Sequence, residues 1–122
     1  MSWPAREPLG LSRNKRIKHR RDFFRLRQEG KRTTGDCLVA NWRPLPANAT
    51  SRLGIVTSSK LGGAVLRSRA RRLLREAFRH HQADFAQPLE LVLVARNSIV
   101  GKRYDDVRQD LLNTLRKARL LK

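Results

Sequence analysis

The chain has 122 residues, room for one ordinary domain, and carries 28 Lys plus Arg against ten Asp plus Glu for a formal charge of +18. A compact domain with that excess repels itself, so it points to a polyanionic partner: nucleic acid first, an anionic membrane surface second. No run reaches the roughly 18 apolar residues of a spanning helix, the N-terminus lacks a signal core, and the single Cys37 has no partner for an internal disulfide. The expectation is a cytoplasmic protein with no membrane association.

Residues 1–15 hold Pro4, Pro8 and Gly10, show no periodicity and end in basic residues, which reads as a flexible arm. A single domain is expected over 16–119, with 120–122 as a C-terminal tail. Phe23, Phe24 and Leu26 among charges, followed by Gly30, predict a short first helix over 20–29. Lys31 to Thr34 is a candidate short strand. Asp36 to Trp42 and Arg52 to Ser58 are stronger ones, expected to pair as a hairpin across the Pro44–Asn48 loop.

Leu66, Ala70, Leu73, Leu74, Ala77 and Phe78 recur at helical spacing and predict one apolar helix face. Arg67, Arg71, Arg75 and Arg79 recur every fourth residue beside it, widened by Arg72, with Arg69 on the other flank. Like charges at this spacing destabilise an isolated helix, so local stability does not explain them. Only Glu76 interrupts them. Guanidinium groups fork onto phosphate oxygens and stay charged, so the row is expected to face outward and bind nucleic acid. Gly62 and Gly63 precede the helix, whose first amides are a weak candidate phosphate cradle, with Lys60 beside them.

Leu89 to Ala95 predicts a strand covered on both faces. Tyr104 to about Leu120 predicts a last helix with Val107, Leu111, Leu112, Leu115 and Ala118 inward, and acids first and bases last to suit its dipole. The order is an α+β, two-layer sandwich with helices on a small mixed sheet.

Catalytic equipment is harder to find. Phe23, Phe24, Trp42 and Tyr104 are candidates for base stacking, though such aromatics are more often core. His19, His80 and His81 sit among arginines. Asp106 and Asp110 share a helix face, but Arg108 and Arg116 offer them a simpler solvated role than a metal. No nucleophile, zinc or nucleotide-triphosphate motif is present.

The run from Arg52-Leu53-Gly54-Ile55 through Ser58-Ser59-Lys60-Leu61-Gly62-Gly63-Ala64-Val65 to Arg67-Ser68-Arg69-Ala70-Arg71-Arg72 and Arg75 resembles the signature of the bacterial ribonuclease P protein. Weaker matches at Arg16-Ile17-Lys18, Asp22-Phe23, Gly30 and Leu91 to Arg96 extend the similarity over about 16–119. The resemblance implies an αβββαβα-like order with a left-handed strand–helix–strand crossover, against the general right-handed rule. It also implies a role as accessory subunit of an endonuclease. There the RNA subunit catalyses removal of the 5′ leader from precursor tRNA, with Mg2+ bound mainly by that RNA and no further protein partner required.

By similarity Lys60, Arg67, Ser68, Arg69, Arg71, Arg72, Arg75 and Arg79 form the RNA-binding set, with no catalytic or metal-binding residue in the chain. Phe23, Arg27 and Asn41 fall in a sheet-side cleft for the leader. The sequence departs from the family at Gly63 and Ser68, where Asn is usual, and at Arg27 and Asn41, where aromatics are common. A ribosomal or other structural RNA-binding protein is the competing reading; it explains the charge but not the ordered Lys60-to-Arg75 pattern.

Overall fold

The computed structural model describes Leu26, Gln28 and residues 30–122. The expected arm over 1–15 and the first-helix residues Phe23, Phe24 and Arg27 lie outside the described residues. Leu26 and Gln28 are helical, and the Gly30 N–H donates to Leu26 O at 2.8 Å. A Cβ on Gly30 would lie 2.5 Å from that oxygen and 2.8 Å from Trp42 O, so only glycine fits this turn.

The chain then forms β1 (Lys31–Thr34), β2 (Leu38–Pro44), β3 (Arg52–Val56), α1 (Ala64–His81), β4 (Leu89–Ala95) and α2 (Tyr104–Lys117). The four strands make one mixed sheet in the order β1-β2-β4-β3. β2 and β3 therefore do not pair as the expected hairpin. β4 inserts between them, antiparallel to β2 with Leu38 opposite Ala95, and parallel to β3 with Leu53 opposite Leu91. The reason is burial: the most apolar strand takes the centre, where both edges are hydrogen-bonded and both faces are covered.

Strand alternation divides the sheet. Leu38, Ala40, Trp42, Leu53, Leu89, Leu91 and Leu93 join Ala70, Leu74, Ala77 and Phe78 of α1 and Val107, Leu111 and Leu115 of α2 in the main core. Phe78 meets Phe85 edge-to-face at 5.5 Å. On the opposite face Leu26 packs on Val92, with Val94 alongside. Two residues leave their expected places. Leu66 is exposed, covering Gly62 at the first turn, and Thr114 rather than Leu112 completes the buried side of α2.

Residues 120–122 are no loose tail. Arg119 takes φ +61°, which ends α2 and turns the chain back. Leu120 enters the core, Ala86 N–H donates to Leu120 O at 2.7 Å, and Lys122 N–H to Asp84 O at 2.9 Å.

Asp110 clamps the β1–β2 turn, accepting from Asp36 N–H at 2.9 Å and Cys37 N–H at 2.8 Å. Arg96 and Lys117 add bonds to Gly35 O and Thr34 O. Burial, reinforced by Asp110, pushes the Cys37 thiol up to about 12. Its proton is thus held more tightly folded than unfolded. The contribution to stability is complete below about pH 8.5, the free thiol's range, and is lost as pH rises toward about 12. Cys37 should resist alkylation at pH 8 in the native protein and react fully in denaturant, followed by mass spectrometry. Equal labelling in both states would contradict this burial.

Candidate nucleic-acid interface

α1 begins where the chain has no acid to offer. Gly63 is its N-cap, and its first turn holds no acidic side chain and no side-chain cap. The leading amides therefore keep their donors and the positive end of the dipole. Gly62, at φ +133°, is a backbone requirement, since a Cβ there would lie 2.5 Å from Leu66 Cδ1. Gly63 is different. Its φ is −72° and nothing lies within 4 Å of a Cβ, so the family's asparagine would fit without strain.

Lys60 and Arg72 are exposed, and Arg67, Ser68, Arg69 and Arg71 half-buried. Ala64, Val65, Ser68, Arg69 and Arg72 line an open groove of about 370 Å³ along the first turns. Arg69 Nη2 donates to Lys102 O at 2.6 Å, tying α1 to the loop before α2. The Nε of Arg67 is buried with no hydrogen-bond partner among the described residues.

The arginine row does not face outward along its whole length. Arg75 is 6% exposed, and the Arg79 side chain is 10% exposed. Arg75 is a surface neighbour of Phe78 one turn on, and Phe78 is fully buried, so the margin of the buried arc takes in Arg75. Arg79 is drawn onto the helix by Glu76, Nη2 to Oε2 at 2.5 Å. Of the expected RNA-binding set, the part that solvent reaches most is the first half of α1 with Lys60.

The two described aromatic candidates differ: Trp42 is enclosed, and Tyr104 is half-buried and tied to α1. Trp42 is core, with Lys31 Nζ 5.5 Å over its ring. Tyr104 Oη lies 2.7 Å from His80 Nδ1, and burial raises its pKa. His81 is held by Asp84 at 2.9 Å. The aspartate pair divides, with Asp106 exposed as expected and Asp110 half-buried. Asp110 turns to the β1–β2 amides, Asp106 accepts from Arg103 N–H at 3.0 Å, and Arg108 and Arg116 bond Asp105 and Asn113 instead. No group of three metal-ligating side chains comes together among the described residues. With these carboxylates committed, those residues do not fit a magnesium site.

Asn41 lies on the sheet face opposite α1 and α2, in register with Arg32 on β1 and Val92 on β4, and Val92 faces Gly54 on β3. One pleat further along this face is a charged row absent from the sequence reading. Glu90, 2% exposed, receives Arg43 Nε at 2.9 Å and Arg52 Nη1 at 3.1 Å. The signal was a lone acid inside the apolar run Leu89–Val94.

Among the described residues no helix is long and apolar enough to cross a membrane. The sequence model of the Ribonuclease P family matches residues 11–119. The ribonuclease P protein component of Clostridium novyi (strain NT) is 34% identical over 111 residues, covering 90% of this chain and 98% of that protein. The RNase P protein of Staphylococcus aureus superposes with a TM-score of 0.79 at 28% identity, covering 88% and 98% of the two chains. That of Thermotoga maritima gives 0.74 at 31%, covering 84% and 96%. Superposition cannot invert a crossover, so α1 joins β3 to β4 with the same hand as in those structures. With the fold and nearly the whole length in agreement, the chain belongs to the ribonuclease P protein family.

Proposed function

We propose that this chain is the RNA-binding protein subunit of a ribonuclease P holoenzyme, assisting a catalytic RNA in the endonucleolytic removal of the 5′ leader from precursor tRNA. The family match over 11–119 carries the reading. The chemistry of the chain agrees with it, since Lys60, Arg67, Arg69, Arg71 and Arg72 gather at the start of α1, whose first turn holds no acid.

In this reading the first half of α1, with Lys60, Arg67, Ser68, Arg69, Arg71 and Arg72, sits against phosphates of the catalytic RNA. Arg75 and Arg79 shape that surface from beneath. The sheet face that carries Asn41 takes the single-stranded leader, with Phe23 and Arg27 as the further contacts that the family resemblance implies. Magnesium is assigned to the RNA. The protein raises the local cationic field, which lowers the free magnesium that the RNA needs to hold its substrate. The place of action is the cytoplasm, and no other protein is needed.

The test is reconstitution. The purified chain, added to the catalytic RNA and a precursor tRNA at low magnesium, should stimulate cleavage at the mature 5′ end. The chain alone should cleave nothing. Absence of stimulation, or cleavage without the RNA, would overturn the proposal.

A further inference from the structure

Val65 stands in the first turn of α1 with 81% of its surface in solvent, and the next most open large apolar residue among those described, Val100, has 44%. A single exposed valine needs no explanation of its own. Local stability gives no reason for this one, since a β-branched side chain is a poorer helix former than alanine. Val65 is not isolated, however. With Ala64, Ser68, Arg69 and Arg72 it lines the open groove of about 370 Å³.

Helix geometry brings these five together. Their spacing by threes and fours places them on one face, turned away from the buried Ala70, Leu74 and Ala77. Ala64 and Ser68 are short while Arg69 and Arg72 are long, and the difference in reach makes the hollow. From Ala64 to Arg72 the helix rises about 12 Å. That length, and a volume near the lower end of the roughly 300–1,000 Å³ of small-molecule pockets, suit one compact group. The guanidinium of Arg69 is held in place by its bond to Lys102 O, a neutral carbonyl that leaves the positive charge in force.

The lining defines the occupant. An apolar floor with cations along it calls for a flat, uncharged group carried on a polyanion. Glu76 is the only acid in α1 and is paired with Arg79, so a basic partner finds nothing here. A phosphate by itself would leave Val65 in water, and an apolar protein side chain would bring no charge to Arg69 and Arg72. A nucleobase satisfies both, because its face packs on apolar groups and guanidinium planes while the backbone on either side supplies phosphates. We propose that Ala64, Val65 and Ser68 form the floor of a site for one unpaired nucleobase of the catalytic RNA, flanked by Arg69 and Arg72. The site rests on the ribonuclease P reading and adds to it a contact that is not made by charge.

The experiment measures binding of the purified chain to the catalytic RNA across a series of salt concentrations. Val65→Ala keeps every charge and introduces the better helix former, so the fold should hold. Affinity should weaken roughly five- to tenfold at every salt concentration, with the slope unchanged because no phosphate contact is lost. Val65→Ile, which keeps the apolar contact, should bind like the wild type. A photocrosslinking side chain at position 65 should capture one unpaired nucleotide. Removing the base of that nucleotide should weaken wild-type binding by the same factor and leave Val65→Ala no further loss. Unchanged affinity of Val65→Ala, a changed salt slope or additive losses would overturn the base site and leave the subunit reading intact. A wild-type protein that failed to stimulate the RNA would remove both.

Discussion

Phe78→Ala should lower the unfolding free energy by about 3–5 kcal/mol, the cost of deleting a large aromatic from a closed core. The ring is fully buried and meets Phe85 edge-to-face at 5.5 Å. Its neighbours include Leu74 and Ala77 on one helix, held by their own packing against the sheet, so the space left cannot collapse. Domains of this size are typically stable by only about 5–15 kcal/mol, so the variant loses a large share of the total. Urea melting should show a lower midpoint with an unchanged slope. Added catalytic RNA should recover part of the midpoint, because a ligand of the native state stabilises it by mass action. A shift below about 1 kcal/mol would mean that the α1–sheet contact is not the centre of the core.

The second large effect is on RNA affinity. Arg67→Ala with Arg71→Ala should lower the salt dependence of catalytic-RNA binding by about two units, one for each phosphate contact removed, from about −4 to −5 for some six contacts. At physiological ionic strength that amounts to roughly tenfold in affinity for each arginine. Arg75→Ala should behave differently. The residue is 6% exposed, so the loss should appear in thermal stability, with the salt slope unchanged. If all three substitutions moved the slope alike, the distinction between the two halves of α1 would be wrong.

The contrast between Arg71 and Arg75 marks how far local pattern carried. Spacing identified α1 and its apolar residues, because a helix repeats whatever surrounds it. Spacing could not tell which arginines the margin of the core would enclose, since that depends on Phe78 and on elements distant in sequence. The same limit applied to the sheet. The run Leu91-Val92-Leu93-Val94 was legible as a buried strand, but its insertion between β2 and β3 is a long-range pairing, and proximity in sequence favoured a hairpin that does not form. Asp110 is a third case. Its helix position suggested a solvated neighbour of Arg108, whereas the tight turn at Gly35 brings two backbone amides to its carboxylate. The accessible Lys60-to-Arg72 surface could be read early because charge without interleaved acids needs no tertiary information. The Arg43–Glu90–Arg52 row could not, as its three members are joined only by strand register.

That central position of β4 also bears on how the molecule is made. A ribosome releases β2 and β3 well before residues 89–95, so the inner edges of both strands wait unpaired while α1 is still being synthesised. Open edges of this kind invite pairing with neighbouring nascent chains. The mutual repulsion of a strongly cationic polypeptide opposes such encounters. The same positive charge that suits the finished protein to RNA therefore also guards its assembly, until the last-arriving strand closes the sheet.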